Sequence, residues 1–238
     1  MTISYHEFLT GRPAGTELSR LRDDITLPLA PKPFRRPGLY RNVLKRVFDV
    51  AAIVVAAPFV VPVVAALAVA VRRDGGGAFY TQQRVGKDGR HFRMWKLRSM
   101  VSDADARMAD YLASNPEARR EWEQTQKLQR DPRITPFGYF LRRSSLDELP
   151  QLWNVLIGEM SLVGPRPMML NQQSMYPGSA YYAVRPGITG LWQTAGRNRT
   201  TFEARAGFDT EYEGTLSFTS DMRILARTVS VVMRCTGY

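Results

Sequence analysis

Two adjacent carboxylates, Asp147 and Glu148, lie in the stretch SSLDELPQL, with Pro150 two positions after the second. Apolar residues at helical spacing follow them and predict a helix to about Gly158: Leu149, Leu152, Trp153 and Leu156. Either Ser145 or Asp147 caps this helix, so both carboxylates lie at its N-terminus, where the macrodipole favours the ionised form. The pair is therefore either an ordinary helix cap or a pair of reacting groups.

Basic residues around the carboxylates favour the second interpretation. Arg142 precedes the pair, and MSLVGPRPM follows it, with Arg166 between two prolines that fix its backbone and hold a guanidinium still for an oxyanion. A second segment, VRPGITGLWQTAGRNR, combines Arg185 and Arg197 with three glycines, which let the backbone approach a ligand closely. Two basic loops and a carboxylate pair predict chemistry on a phosphoanhydride.

Composition narrows the partners and the chemistry. The chain has 238 residues, enough for one domain with an N-terminal arm, and its net charge of +11 predicts an anionic partner: a phosphorylated substrate, an anionic lipid or a nucleic acid. A single cysteine excludes a disulfide framework, and two histidines leave little material for a histidine-rich metal site or a serine-histidine-aspartate triad. The chemistry must therefore use carboxylates, arginine and lysine.

An apolar run of 22 residues, 50–71, is long enough to cross a bilayer core of about 30 Å. Pro58 and Pro62 should kink or break a helix near its middle, and basic residues flank both ends. From these residues alone, the segment is either a re-entrant helix that returns to the same side or an ordinary span with a kink. The body after it has no second run of this length and should rest on the membrane surface.

Short elements are predicted to position the basic residues. The stretch 79–100 predicts a β-hairpin around the turn GKDG, and the hairpin brings six basic side chains together: Arg84, Lys87, Arg90, Arg93, Lys96 and Arg98. Two helices follow as an exposed insertion, capped by Ser102 and by Asn115 with Pro116. Thr135 with Pro136 begins a further helix that leads to the carboxylate pair.

The sequence resembles the bacterial sugar transferases, monotopic phosphoglycosyl transferases that begin exopolysaccharide, O-antigen and glycoprotein glycan assembly. The matching segments are KRVFD, QQRVGKDGRHFRMWKLRSM, DPRITPFGYFLRRSSLDELPQLWNVLIGEMSLVGPRP, RPGITGLWQTAGR and FDTEYEGTLSFTSDMRIL. They run in family order from Lys45 nearly to the C-terminus, so the resemblance covers roughly four-fifths of the chain. The large additional membrane domain of some relatives is not expected, so the chain resembles a short form that carries the catalytic unit.

The resemblance implies transfer of a hexose 1-phosphate from a UDP-sugar to undecaprenyl phosphate, with release of UMP. Asp147 would be the nucleophile that forms a covalent phosphosugar intermediate, Glu148 would assist it, and Mg²⁺ held at Asp147 would neutralise the diphosphate. The resemblance also implies a set of phosphate-binding and substrate-binding residues: Lys96, Arg98, Arg142, Arg166, Arg185, Gly187, Thr189, Gly190, Gln193, Arg197 and Asp209.

The expected fold class is α+β, mainly α: a monotopic membrane protein with a re-entrant helix-break-helix, a short β-hairpin and a helical catalytic body. Its parts would be an N-terminal arm (1–40), the membrane helix with its basic flanks (41–73) and a cytosolic catalytic domain (74–238). The family's helix break is a Ser-Pro pair, whereas this chain has Val61 before Pro62 and an additional Pro58. The expected location is the cytoplasmic face of the bacterial inner membrane, in contact with its lipids.

Other functions fit parts of the sequence. A basic, membrane-tethered binding protein explains the charge and the apolar run, but not the carboxylate pair. A glycosyltransferase or hydrolase uses two carboxylates across a sugar ring, which adjacent residues rarely achieve, and a glycosyltransferase would release UDP. Nucleic-acid binding is the weakest alternative because no known module is present. Glucose or galactose is the expected sugar, and both a monomer and a homodimer stay open.

Overall fold

The computed structural model describes residues 38–73, 75–125, 128, 130–195 and 202–233. The N-terminal arm predicted for 1–40 lies almost entirely outside this part of the chain. Most of the described residues are helical, as the predicted fold class requires, and the elements follow in this order: a π-helical turn (Tyr40–Leu44), α1 (Lys45–Arg72), β1 (Phe79–Val85), β2 (His91–Leu97), α2 (Ala104–Ser114), α3 (Pro116–Thr125), α4 (Pro136–Arg143), α5 (Gln151–Ile157), β3 (Ser161–Val163), α6 (Ala180–Ala183), β4 (Gly187–Thr189), α7 (Leu191–Ala195), α8 (Phe202–Thr215) and α9 (Phe218–Met233).

The apolar run forms α1, a continuous helix that contains both Pro58 and Pro62. Together with the π-helical turn before it, α1 is the one helix among the described residues that is long and apolar enough to cross a membrane. The predicted break at Pro62 is not confirmed, since helical backbone continues through both prolines. A proline removes one backbone donor and kinks a helix without having to end it. The division between membrane segment and catalytic domain stays a prediction.

Buried polar contacts fix the first half of α1 to the body. Lys45 Nζ lies 2.6 Å from Asp221 Oδ2 on α9. Asp49 accepts hydrogen bonds from Ser161 Oγ at 2.7 Å and from the backbone N–H of the next residue at 3.2 Å, at the start of β3. Lys45, Asp49 and Asp221 are all buried. Because a buried charge is costly unless it is paired and hydrogen-bonded, these contacts set the position of α1 relative to β3 and α9.

The last turn of α1 contacts the same body. Val71 is buried in a cluster with Leu97 at the end of β2 and Leu141 in α4. Arg98 donates a hydrogen bond to the carbonyl oxygen of Val71 at 3.1 Å. Between the two contact regions, residues 54–70 include no buried side chain. The helix therefore meets the body at both ends and leaves its apolar middle uncovered.

The predicted hairpin is confirmed: β1 and β2 pair antiparallel, with Phe79 opposite Leu97. The buried side chain of Asn154 joins the hairpin to α5. Its amide nitrogen donates to Arg93 O at 2.7 Å, and its Oδ1 accepts from Trp95 N at 3.0 Å. The helix that follows the carboxylate pair is thereby fixed to strand β2.

A second pair of strands, β3 and β4, is parallel and was not predicted. Ser161 pairs with Gly187, and Gly164 lies just beyond β3. A Cβ added at Gly187 would lie 2.1 Å from Gly164 N, and one added at Gly190 would lie 2.0 Å from Gly164 O. These glycines therefore let two backbone segments approach each other, whereas the sequence pattern had suggested close approach to a ligand.

The helix caps agree with the sequence in two of three places. Asn115 Oδ1 accepts hydrogen bonds from two backbone N–H groups at the start of α3, one of them that of Ala118 at 3.0 Å. Thr135 caps α4 through a hydrogen bond from the backbone N–H three residues on, at 2.9 Å. The cap predicted at Ser102 is wrong, because α2 begins one residue later, after Asp103.

Candidate functional site

The carboxylate pair lies in a tight turn between α4 and α5. Ser145, with a φ of +58°, adopts the left-handed conformation, which is uncommon for a residue other than glycine, and Leu146–Glu148 then form one 3₁₀ turn. α5 begins only after Pro150. In the described residues, neither Ser145 nor Asp147 caps a helix with its side chain, so both predicted caps are wrong. The ordinary-cap explanation of the pair falls with them.

Lys96, the last inward basic residue of β2, faces both carboxylates. Its Nζ lies 2.8 Å from Glu148 Oε1 and 3.4 Å from Asp147 Oδ2. Asp147 is only 6% exposed, so its contact with Lys96 is poorly screened by water. The structure therefore places Lys96 beside the pair, while the phosphate-binding or substrate-binding role that the resemblance implied for it stays a prediction.

Arg142, in the last turn of α4, is held close to the pair by Ser99. Its Nε donates to Ser99 Oγ at 2.9 Å, and its charge acts on Asp147. Gly138 lets α4 lie close to the backbone of Ser99, because a Cβ at position 138 would lie 2.0 Å from the carbonyl oxygen of Ser99. The side chain of Ser99 thus orients an arginine that the sequence assigned to phosphate binding.

The environment moves the pKa values of the two carboxyl groups in opposite directions. Burial raises the pKa of Asp147, and the charges of Lys96 and Arg142 only partly offset this effect. Burial also acts on Glu148, but the charges of Lys96 and Arg166 outweigh it and place the pKa of Glu148 below its usual range. When ionised, Asp147 is therefore the more basic of the two carboxylates, which suits a nucleophile.

Arg166 lies in the segment that follows β3, between two buried prolines, and its own side chain is exposed. It is near enough to Glu148 to lower that residue's pKa. Its guanidinium carbon lies 6.0 Å from the ring centroid of Trp192 in α7. The structure thus brings three of the predicted basic residues close to the carboxylate pair: Lys96, Arg142 and Arg166.

Two other predicted phosphate-binding residues contact different parts of the molecule. Arg98 donates to the end of α1, as described above. Arg185 donates through Nε to the carbonyl oxygen of Gly158 at 2.8 Å, and the charged groups that act on it include Arg46 and Asp49 of α1. Their assignment to substrate binding stays a prediction.

The glycine-rich segment has contacts within the protein. Thr189 is buried, with its hydroxyl 2.7 Å from that of Thr228 on α9. Gln193 is buried in α7, with its side-chain nitrogen 3.5 Å from a carbonyl oxygen of β4. Its glycines that are described pack against Gly164. Arg197 lies outside the described residues, so the role of this segment in binding a nucleotide sugar stays a prediction.

Asp209 does not contact the carboxylate pair directly but is connected to it through Arg205 and Arg166. It is buried in α8, accepts a hydrogen bond from the Tyr176 hydroxyl at 3.0 Å and lies 3.7 Å from Arg205 Nε. Burial raises the pKa of Asp209 to about 6, which Arg205 only partly offsets. Arg205 in turn donates a hydrogen bond to the carbonyl oxygen of Arg166. Asp209 is thus connected to the site through Arg205.

The sequence analysis did not identify three residues that lie at or behind the site: Ser99, Arg205 and the buried Arg84. Ser99 and Arg205 carried no motif that singled them out. Arg84 was grouped with the basic hairpin residues, yet it alone of those six is buried, at 8% exposed. The strand around Arg84 shows no alternation of buried and exposed residues, so periodicity gave no signal that this arginine faces inward.

The carboxylates of the site are the side chains that could hold a magnesium ion. No group of three or more histidine, cysteine, aspartate or glutamate side chains that could hold a metal is found among the described residues. Asp147 and Glu148 are nevertheless adjacent carboxylates, and the shorter Lys96 contact goes to Glu148. Mg²⁺ is usually bound by one or two carboxylates together with waters and substrate phosphates. A magnesium site here would therefore use Asp147 together with waters and phosphate oxygens, and it stays a prediction.

Known proteins are similar in sequence to this chain over most of its length. The profile of the family described as "Bacterial sugar transferase" matches residues 40–235. A UDP-galactose-lipid carrier transferase of Erwinia amylovora is 45% identical over 196 residues, which are 82% of this chain and 41% of that protein. The exopolysaccharide production protein ExoY of Rhizobium meliloti is 42% identical over 196 residues, 81% of this chain and 87% of that protein.

A UDP-glucose:undecaprenyl-phosphate glucose-1-phosphate transferase of Escherichia coli is 35% identical over 222 residues, 89% of this chain and 45% of that protein. The chain thus spans less than half the length of the Erwinia and Escherichia proteins. The profile match covers far more than half of this chain and includes every residue of the site described above. The chain belongs to the bacterial sugar transferase family.

Proposed function

We propose that this protein transfers a hexose 1-phosphate from a UDP-sugar to undecaprenyl phosphate, with release of UMP, at the start of exopolysaccharide synthesis. The observation that carries the proposal is the buried Asp147 beside Glu148, faced by Lys96 and accompanied by Arg142 and Arg166. The names of the Erwinia and Escherichia relatives refer to transfer onto a lipid carrier or onto undecaprenyl phosphate. The same names support galactose or glucose as the sugar.

In the first half of the reaction, a carboxylate oxygen of Asp147 attacks the phosphorus that carries the sugar. A P–O bond forms to Asp147, the bond from that phosphorus to the bridging oxygen breaks, and UMP leaves with the bridging oxygen. Negative charge accumulates around the phosphorus during this step. Lys96, Arg142 and Arg166 are proposed to offset it.

In the second half, an oxygen of the lipid phosphate attacks the same phosphorus. The aspartyl P–O bond breaks, Asp147 is restored as a carboxylate, and the product is a lipid-linked diphosphate sugar. Glu148 has a pKa below its usual range, so it is a weak base. This favours a positioning role for Glu148, through its 2.8 Å contact with Lys96, over a role as proton acceptor.

Magnesium is the proposed cofactor, with Asp147 as its protein ligand. When bound, Mg²⁺ would neutralise part of the charge of the diphosphate. The other charges at the site belong to the chain itself, and they remain in place between the two half-reactions. A requirement for the ion is tested by UMP release with and without EDTA.

The segment from Arg185 to Arg197 is the proposed binding loop for the nucleotide sugar. Its β4 portion is joined to the Pro-Arg-Pro segment, because Gly187 N donates to Pro165 O at 2.8 Å. Trp192 of the same segment lies 6.0 Å from the Arg166 guanidinium. A ligand held by this loop would therefore lie beside Arg166. Arg98 and Asp209 are proposed as further members of the site.

A re-entrant course of α1 is the proposed membrane topology. In support of it, α1 contacts the body near Asp49 and near Val71 and leaves residues 54–70 without a buried side chain. Pro58 and Pro62 lie within this uncovered stretch. A helix bent there would enter one leaflet and return. Both ends would then lie on the cytoplasmic side of the inner membrane.

The topology has a direct test with single cysteines. Asn42→Cys, before α1, and Arg90→Cys, on the hairpin turn, are each introduced into a Cys235→Ser background. In intact cells, a membrane-impermeant maleimide should leave both unlabelled until the cells are lysed, if α1 returns to the cytoplasmic side. Labelling of the cysteine at position 42 in intact cells would establish an ordinary span.

The reaction is tested by UMP release from detergent-purified protein with Mg²⁺ and a panel of UDP-sugars, with and without undecaprenyl phosphate. Wild type and Asp147→Asn are compared. Lipid-dependent turnover to UMP with one sugar, lost in the variant, is the expected result and names the donor. Release of UDP would identify a glycosyltransferase instead, and full activity of Asp147→Asn would remove the aspartyl mechanism.

A further inference from the structure

Two buried arginines from distant parts of the chain hold the backbone of the Pro-Arg-Pro segment, residues 165–167. Arg205 on α8 donates through Nη2 to the carbonyl oxygen of Arg166. Arg84 on β1 donates through Nη1 to the carbonyl oxygen of Pro167 at 3.3 Å. Both prolines are buried, whereas the side chain of Arg166 is exposed. The backbone of the segment is thus fixed from the protein interior, and the guanidinium of Arg166 faces outward.

Arg205 lies among aromatic rings. Its guanidinium carbon is 5.7 Å from the ring centroids of Tyr181 and Trp192 and 5.6 Å from that of Phe202. It is 3% exposed, and cation–π contacts of this kind stabilise a desolvated cation. Trp192 is also the ring next to Arg166, so one indole contacts both arginines.

Arg84 is fixed by its neighbours on β1. Its Nη2 donates to Gln82 Oε1 at 2.5 Å. The next residue, Val85, donates its backbone N–H to Met168 O at 2.9 Å, and the Tyr181 hydroxyl accepts from Met168 N at 3.0 Å. The chain that leaves the Pro-Arg-Pro segment is therefore attached to the same strand that carries Arg84.

Burial of these two guanidiniums is energetically unfavourable. Burial lowers the pKa of Arg84 to about 10, with added repulsion from Arg166, and burial also lowers the pKa of Arg205. In the part of the chain that the structure describes, Arg84 Nε has no hydrogen-bond partner, and Arg205 Nε makes only a long ion pair, 3.7 Å from Asp209 Oδ2. Apolar residues would fill the same space at lower cost, so packing alone does not account for the pair.

We propose that Arg84 and Arg205 are positioning residues that hold the backbone of Arg166 so that its guanidinium stays beside Glu148 and the donor diphosphate. The inference rests on the proposed function, since the diphosphate of the UDP-sugar is the group that Arg166 would meet. A planar guanidinium binds phosphate oxygens in a fixed geometry, and misplacement by about 1 Å is enough to lose most of the effect. The hydrogen bonds from Arg84 on β1 and Arg205 on α8 would prevent such a displacement of the Arg166 backbone.

The test is a pair of double-mutant cycles on the full-length protein, read as kcat/KM for UMP release with the UDP-sugar that the wild type uses. Arg84→Gln and Arg205→Gln are measured alone and together with Arg166→Ala. Each single substitution should lower kcat/KM by about 10²-fold. In the Arg166→Ala background the same substitutions should change it by less than about threefold, because the group they position is gone.

Two further sets of variants separate positioning from general loss of structure. Arg84→Lys and Arg205→Lys keep a donor and should recover part of the lost activity. Arg41→Gln is the matched control: Arg41 pairs with Glu213 at 2.7 Å with a side chain only 10% exposed, and it contacts no residue of the site described above. It should lower the thermal unfolding midpoint while leaving kcat/KM within about twofold.

Losses of equal size with and without Arg166 would show that the two arginines act on the whole fold, and would overturn the inference. If a glutamine variant fails to fold, its lysine counterpart is carried through the same cycle and read in the same way. A wild type that releases no UMP contradicts the proposed function, and this inference with it. Additive losses in an active protein contradict this inference alone.

Discussion

The ammonium of Lys96 contacts both carboxylates of the pair, at 2.8 Å from Glu148 Oε1 and 3.4 Å from Asp147 Oδ2. One cation therefore acts on two adjacent acids whose pKa values lie on opposite sides of their usual range. Lys96 lowers both pKa values, so it favours the ionised form of the proposed nucleophile and of its neighbour at the same time.

Lys96→Met should therefore lower kcat/KM by about 10²-fold or more and move the acidic limb of the pH profile to higher pH. The sign follows from the removed charge: without the ammonium, the pKa of Asp147 rises further and a larger fraction is protonated at a given pH. Arg93→Gln, an exposed arginine on the same strand, is the control and should leave the profile in place. An unchanged acidic limb in Lys96→Met would contradict the assignment.

Ser99→Ala tests the hydrogen bond that orients Arg142. Loss of the 2.9 Å contact leaves the guanidinium free to turn, so kcat should fall by about tenfold while the unfolding midpoint changes little. Ser99→Thr keeps the hydroxyl and should restore most of the activity. If Ser99→Ala and Ser99→Thr are equally impaired, steric fit at this buried position, and not the hydrogen bond, is what matters.

Local features of the sequence predicted much of this structure. The hairpin turn and the Thr135 and Asn115 caps each depend on a few neighbouring residues, and each is found. The contact between Lys96 and Glu148 joins residues 52 positions apart. The resemblance assigned both residues to the site but did not predict this contact, because no local pattern encodes such a pairing.

The remaining features depend on tertiary packing. β3 and β4 have three residues each, which is too short for a period of two to be recognised. The contacts of Gly187 and Gly190 with Gly164 were not predicted, because a sequence does not show which partner approaches the backbone. Nothing in the sequence marked Arg84 or Arg205 as buried, and charged residues are rarely buried.

Asn154→Ala should destabilise the protein by about 2 to 4 kcal/mol, because it leaves the backbone N–H of Trp95 and the carbonyl of Arg93 without their buried partner. Chemical unfolding in detergent measures the difference. Gln83→Ala, an exposed residue on the paired strand, is the control and should change the stability by less than about 0.5 kcal/mol. Equal effects of the two substitutions would show that Asn154 does not join α5 to the hairpin.

Asp209 should make the protein more stable at mildly acidic pH. Its folded pKa of about 6 lies above the unfolded value, so its contribution is complete below the unfolded pKa and is lost as the pH rises through about 6. Between pH 7.5 and pH 5 this group should add about 1 kcal/mol. Asp209→Asn should remove that increment, whereas Glu211→Gln, an exposed acid on the same helix, should keep it. An unchanged pH dependence in Asp209→Asn would contradict the raised pKa.

The most direct measurement of the central claim is the intact mass of the protein after incubation with the UDP-sugar donor and Mg²⁺, without any acceptor lipid. The account predicts one hexose phosphate bound per chain, located on the peptide that contains Asp147, with one equivalent of UMP released. The adduct should disappear when undecaprenyl phosphate is added and should not form in Asp147→Asn. UMP that appears only with the lipid present, with no adduct at any time, would contradict a covalent aspartyl intermediate.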